Sequence, residues 1–138
     1  SSEPAMNIDL YPTLISLAGG RLPDDRPIDG KDMLPLLSGS NTSPHEVLFL
    51  FNRDRIVGVR SGQWKLVVET RYRATLNSFE HSTYYGPDGL LFDLKNDPGE
   101  TYSFTREYPE VVQQLRNHLR KAREELLPAV LPQMWNRQ

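Results

Sequence analysis

The sequence predicts an α+β fold, in which a small antiparallel sheet of about four strands carries a long C-terminal helix on one face. Two patterns point there. Short apolar runs at Val47–Phe51, Ile56–Arg60, Trp64–Glu69 and Gly89–Leu94 are separated by turn-forming residues, as the strands of a small sheet are. Further on, Val111, Val112, Leu115, Leu119, Ala122 and Leu126 recur with the 3.6-residue period of a helix that buries one face. A chain of 138 residues with 38% hydrophobic and 25% charged residues has enough apolar material for one modest core and is unlike a disordered polypeptide.

Asn7–Gly20 reads as a short amphipathic helix. Asp9 is placed to cap it, Pro12 sits in the first turn where its missing N–H costs nothing, and Leu10, Leu14, Leu17 and Ala18 share one face. Gly19-Gly20 supplies the stop. Arg21–Gly30 is rich in turns and ends on Asp29-Gly30. Asp32–Leu37 forms one helical turn, stopped by Ser38-Gly39, and a polar loop runs to Pro44. Val47–Phe51 is an unbroken apolar run, which predicts a strand covered on both faces. Ser61-Gly62-Gln63 joins the next two strands, and in the second of them Trp64, Leu66 and Val68 share one face while Lys65, Val67 and Glu69 share the other.

Residues 70–87 read as a polar insertion dotted with aromatic residues and without a regular pattern; such loops inside compact domains serve a function or move. After Gly89–Leu94 comes the tight turn Lys95–Glu100. Asp97 precedes Pro98 and is pushed to an extended conformation, Gly99 is free to take positive φ, and Glu100 is placed to pair with Arg60 or Lys65. The turn is read as structural rather than as a catalytic carboxylate pair, and Trp64 as a core anchor. Pro109 suits the first position of the last helix, Arg116, Arg120, Lys121 and Arg123 favour its C-terminal end, and Pro128 ends it.

Composition removes several kinds of chemistry. A formal net charge of -2 gives no field of one sign for nucleic acid or an anionic membrane. The absence of cysteine removes disulfides, thiolate metal sites and a thiol nucleophile. Ser1-Ser2-Glu3-Pro4 has neither the basic nor the apolar part of a signal peptide. No zinc-protease, serine-hydrolase or phosphate-loop motif is present. Of the three histidines, His45 reads as solvated in its loop and His118 as a partly buried structural residue beside the helix stripe. Asp24, Asp25, Asp29 and Asp32 crowd a loop without calcium-loop spacing and read as turn residues.

Five of these segments, in order, resemble the sulfatase family. Asp9-Leu10-Tyr11-Pro12-Thr13 through Leu17-Ala18-Gly19 is similar to the family's DxxPTxxxLAG. Asp25–Gly39 resembles DRxxDGxDLLPLLxG, Arg60 with Trp64-Lys65-Leu66 resembles RxxxWKLI, and the stretch from Leu91 through Glu100 resembles the family's LYDLxxDPxExxNL. The final helix follows in register, and the tail Leu126–Trp135 is similar to those of arylsulfatase A and N-acetylgalactosamine-6-sulfatases. The resemblance implies an alkaline-phosphatase-like sulfatase C-terminal subdomain. It divides the chain into a junction helix and turn-rich linker from the catalytic domain (1–44) and the subdomain proper (45–138).

The same resemblance implies a parent enzyme that hydrolyses sulfate esters, acting on a sulfated sugar or glycan. It would use calcium and a formylglycine formed within a Cys/Ser-x-Pro/Ala-x-Arg motif, both in the catalytic domain. A sulfate monoester is an anion, so a nucleophile needs that charge neutralised before it can approach. No such motif occurs in this chain. No catalytic or metal residue is therefore carried over, and the chain alone is expected to be inactive. Its implied partners are its own N-terminal catalytic domain and a sulfated carbohydrate, and family members are periplasmic, secreted or lysosomal. Within the insertion Arg71, Arg73 and His81 are candidate substrate-binding cations, with Tyr72, Phe79, Tyr84 and Tyr85 as flat platforms for a sugar. The alternative is a free-standing, non-catalytic glycan-binding or interaction module built on the same insertion.

Overall fold

The computed structural model describes residues 1, 3–52, 55–73, 80–84 and 88–126, with backbone alone for 70–73, 80–84 and 126. The chain forms two compact units, Ser1–Glu46 and Val47–Gln138.

In the first unit a 3₁₀ turn, Asn7–Asp9, runs directly into helix α1, Leu10–Leu17. The helix stops as expected, with Gly19 N–H donating to Ser16 O at 3.0 Å and Gly20 N–H to Ile15 O at 2.9 Å. Its apolar stripe is where sequence and structure part. Leu10, Leu14 and Leu17 face solvent, Leu14 with 61% of its surface exposed, whereas Pro12 and Thr13 are buried. The single turn α2, Leu34–Leu37, follows.

The second unit contains a four-stranded antiparallel sheet ordered β1-β2-β3-β6. Its strands are β1 Leu48–Asn52, β2 Arg55–Ser61, β3 Trp64–Val67 and β6 Leu90–Asp93. Register aligns Phe49, Val59, Leu66 and Leu91 in one row across all four strands. Partners directly opposite share a face, and helix α3, Pro109–Leu126, covers that face. Val59, Leu66 and Leu91 are fully buried there beneath Val112, Leu115, Leu119 and Ala122, so the predicted helical stripe is the core stripe as far as Ala122; the Leu126 side chain lies outside the described residues. Arg123 adds a polar tie, its Nη2 donating to Ile56 O at 3.1 Å.

The outer edge of β6 is covered by its own chain. Leu91 N–H donates to Thr105 Oγ1 at 3.0 Å, and Leu91 O accepts Phe104 N–H at 2.8 Å. At the opposite edge lies β1. The apolar run predicted a strand covered on both faces; instead a register shift at Leu50/Phe51 turns Phe51 outward, 56% exposed. Trp64 packs as predicted, with ring centroids 4.9 Å from Tyr108 and 6.3 Å from Phe104.

The insertion is more ordered than its sequence suggests. Glu69–Arg73 (β4) and Glu80–Tyr84 (β5) pair antiparallel as a separate two-stranded ribbon. Their polar sequence lacks the alternation by which a half-buried strand is recognised. Tyr85, Phe79 and the tail from residue 127 lie outside the described residues.

Candidate functional site

All three candidate substrate-binding residues lie on the ribbon: Arg71 and Arg73 on β4, His81 on β5. Arg71 pairs with Ser82, Tyr72 with His81 and Arg73 with Glu80. Strand alternation therefore places positions 71, 73, 80 and 82 on one face and positions 72 and 81 on the other. Their side chains lie outside the described residues. The two arginine positions form one group and His81 another, a division that a sequence read as a loop does not contain.

A second cluster is centred on Asp9. Its carboxylate is fully buried and accepts four contacts: Met6 N–H at 2.8 Å, Lys31 N–H at 2.8 Å, and His45 Nε2 at 2.7 and 2.9 Å to the two oxygens. An ionised carboxylate only accepts, so His45 Nε2 carries the proton. Thr13 completes the knot, donating to Asp9 O at 2.6 Å and accepting Met33 N–H at 2.9 Å. Asp9 and His45 both differ from what their sequence context predicts. Asp9 makes no side-chain cap to helix α1 and instead ties its own turn, at Met6, to the two distant stretches at Lys31 and His45. His45 is 8% exposed rather than solvated, because the loop that carries it folds back onto the buried carboxylate.

Burial works to raise the Asp9 pKa, but the N–H groups of Lys31 and Met6 and the His45 imidazole together outweigh it, holding the carboxyl below its usual range. Gly30 is required for the same approach, since a Cβ there would meet Ile8 O at 2.2 Å. The DxxPT and DG elements thus work as parts of one structural clasp.

The DPGE turn is also structural. Asp93 is buried at its start and accepts Lys95 N–H at 3.1 Å and Asn96 Nδ2 at 2.8 Å. Asp97 accepts Thr101 N–H at 2.7 Å and Tyr102 N–H at 3.0 Å; the bond from Tyr102 leads those that hold its carboxyl below the ordinary range. Of the two partners open to Glu100, Lys65 is the one taken, at 2.5 Å. Positive φ falls on Glu100 itself, at 54°, and not on Gly99. The Asp97 bonds to Thr101 and Tyr102 close the turn around residue 100, which accounts for the tight conformation at that position.

Among the described residues no three His, Asp or Glu side chains converge as a metal site would require. Of the acidic loop, Asp25 is engaged by Arg26 and Asp32 accepts Leu34 N–H at 2.8 Å. These residues do not fit a calcium ion. Nor is any helix among the described residues long and apolar enough to cross a membrane.

Comparison with known proteins agrees with this architecture. Residues 43–137 match the family described as the C-terminal region of aryl-sulfatase. The chain is 35% identical over 150 residues to steryl-sulfatase of Mus musculus, covering 93% of this chain and 24% of that protein. It is 37% identical over 122 residues to arylsulfatase A of Bos taurus, covering 79% and 24%. Among solved structures, one from work on glycosaminoglycan metabolism by Bacteroides thetaiotaomicron superposes with a TM-score of 0.62 at 28% identity, covering 88% of this chain and 26% of that one. A Pseudoalteromonas sulfatase gives 0.65 at 22% identity, covering 84% and 25%, which shows the fold alone. The chain thus spans about a quarter of the length of these relatives. With more than half its residues inside the family match and its sheet and helix shared with sulfatases of alkaline-phosphatase-like fold, this chain belongs to the sulfatase family, as its C-terminal region.

Proposed function

We propose that the chain is the C-terminal portion of a sulfuric ester hydrolase that acts on a sulfated sugar or glycan. In this reading it is inactive by itself, it supports a catalytic domain formed by preceding residues, and its β4–β5 ribbon supplies part of the subsite for the leaving group. The observation that carries the subsite reading is the ribbon: a two-stranded unit separate from the main sheet, with two arginine positions on one face. Guanidinium groups grip sulfate or carboxylate with paired donors, and two of them one strand repeat apart suit a polyanionic sugar. Calcium and the formylglycine nucleophile belong to the catalytic domain, where they would neutralise and attack the sulfate. We assign the first unit, residues 1–44 in the sequence division, to the junction with that domain. The exposed stripe Leu10, Leu14 and Leu17 supports this, because an apolar helix face gains from being covered.

The test uses the full-length enzyme with sulfated monosaccharides and, in parallel, a steryl sulfate, since both kinds of sulfatase are among the relatives. Arg71→Ala/Arg73→Ala is expected to raise KM for the sulfated sugar about tenfold or more, the scale of losing one charged hydrogen bond. His81→Ala, on the opposite ribbon face, is assayed separately. Unchanged KM and kcat in both variants would remove the ribbon from the substrate site. A preference for the steryl sulfate would overturn the carbohydrate assignment.

A further inference from the structure

The chain leaves the main sheet after β3 to form the ribbon and re-enters it at β6, and described residues on both sides are held by contacts. At the first the backbone bends at Val68, whose N–H donates to Val57 O at 2.9 Å, and β4 begins with Glu69. The Glu69 carboxylate, 7% exposed, receives a two-pronged contact from Arg55 on β2, with Nη1 to Oε1 at 3.0 Å and Nη2 to Oε2 at 2.8 Å. At the return, Gly89 has φ +69° and lies so close to Val67 that a Cβ would meet Val67 O at 2.7 Å. Gly89 O in turn accepts Thr105 Oγ1 at 3.1 Å.

We infer that Arg55 and Glu69 are positioning residues for the ribbon, setting the direction in which it leaves the sheet. The inference rests on the subsite reading above and adds to it the device that aims the subsite. Three observations converge. The ribbon forms its own two-stranded sheet, so ladder hydrogen bonds of the main sheet do not run through it, and a two-stranded ribbon is marginal without support. A guanidinium–carboxylate fork is planar and fixes angle as well as distance, which a single-point contact does not. Finally, Glu69 lies on the same ribbon face as positions 71 and 73, so a rotation at residue 69 is carried directly to both arginines. The buried Glu69 is the fixed end, and the half-exposed Arg55 is the arm that closes on it.

The experiment measures kinetics and amide exchange on the full-length enzyme for Glu69→Gln, Arg55→Lys and, in parallel, Arg71→Ala/Arg73→Ala. Glu69→Gln is expected to raise KM for a sulfated sugar about five- to tenfold with kcat within about twofold, the signature of lost binding that is uniform along the reaction. Amides of residues 70–73 and 81–83 should exchange faster, while those of Leu66 and Leu91 keep wild-type protection. Arg55→Lys retains the charge but not the fork, and is expected to fall between wild type and Glu69→Gln. If Glu69→Gln also deprotects Leu66 and Leu91, the sheet itself is damaged and Arg55→Lys decides by the same criteria. Raised KM in Arg71→Ala/Arg73→Ala with wild-type KM in the deciding variant overturns this inference alone. Wild-type KM in Arg71→Ala/Arg73→Ala overturns the subsite reading and the inference with it.

Discussion

Asp9→Ala is expected to unfold the Ser1–Glu46 unit while leaving the sheet and α3 intact, at a cost of about 3 kcal/mol. That is the scale of leaving buried hydrogen-bonding groups without their partner, about 1–3 kcal/mol for each group that water does not reach. The substitution strands the N–H groups of Met6 and Lys31 and the imidazole of His45, all of which converge on one carboxylate. His45→Ala removes only one of these contacts and should cost less. Amide exchange at Lys31 and Met33 reads the effect directly, since both N–H groups bond within the clasp. Wild-type protection at those two amides in Asp9→Ala would refute the clasp.

The same group sets an acid limit. The Asp9 pKa is lowered on folding, so its contribution is fully present above the unfolded value of 3.8 and is lost as pH falls through the lower folded value. Unfolding of the first unit should therefore steepen below about pH 4, and Asp9→Asn should flatten that dependence.

Leu115→Ala carries the second large effect, about 3 kcal/mol within the usual range of 2–5 for a buried leucine. Leu115 is 2% exposed, in one core cluster with Val59, Leu66 and Leu91 of the sheet. In a unit of this size the melting temperature should drop by about 10 °C or more. Leu14→Ala is the control: a leucine of the same helical spacing but exposed, for which a change within about 0.5 kcal/mol is expected in this chain. Equal effects from the two would contradict the described core.

That contrast shows what a sequence can and cannot reveal here. The period of α3 was readable because its apolar face meets a partner within the same chain, whereas the row Phe49–Val59–Leu66–Leu91 depends on a register that only the formed sheet sets. The stripe of α1 has the same pattern without the burial, since periodicity reports that a face is apolar and not which surface covers it. Likewise the apolar run of β1 suggested cover on both faces, yet the strand lies at an edge and a register shift turns Phe51 out. The β4–β5 ribbon was missed because its residues carry no alternation of apolar and polar types from which a strand is recognised. His45 was missed for a different reason: a histidine in a loop gives no local sign that a carboxylate 36 residues earlier will bury it. The nearest signal was the Asp9–Thr13 motif, whose polar residues sit where a plain amphipathic helix would carry none.

Arg71, Arg73 and His81 could be named from residue type alone. Their grouping could not, because it depends on the register Tyr72–His81 and Arg71–Ser82, which exists only once the ribbon is formed.

Sulfate release by this 138-residue chain, set beside release by the full-length protein that contains it, is the measurement closest to the central claim. The chain is assayed with a sulfated monosaccharide and with a chromogenic aryl sulfate, with calcium present throughout. The account predicts turnover by the full-length protein and none above buffer by the chain. Release that follows the chain through successive purification steps would contradict it, placing a reaction centre within these residues.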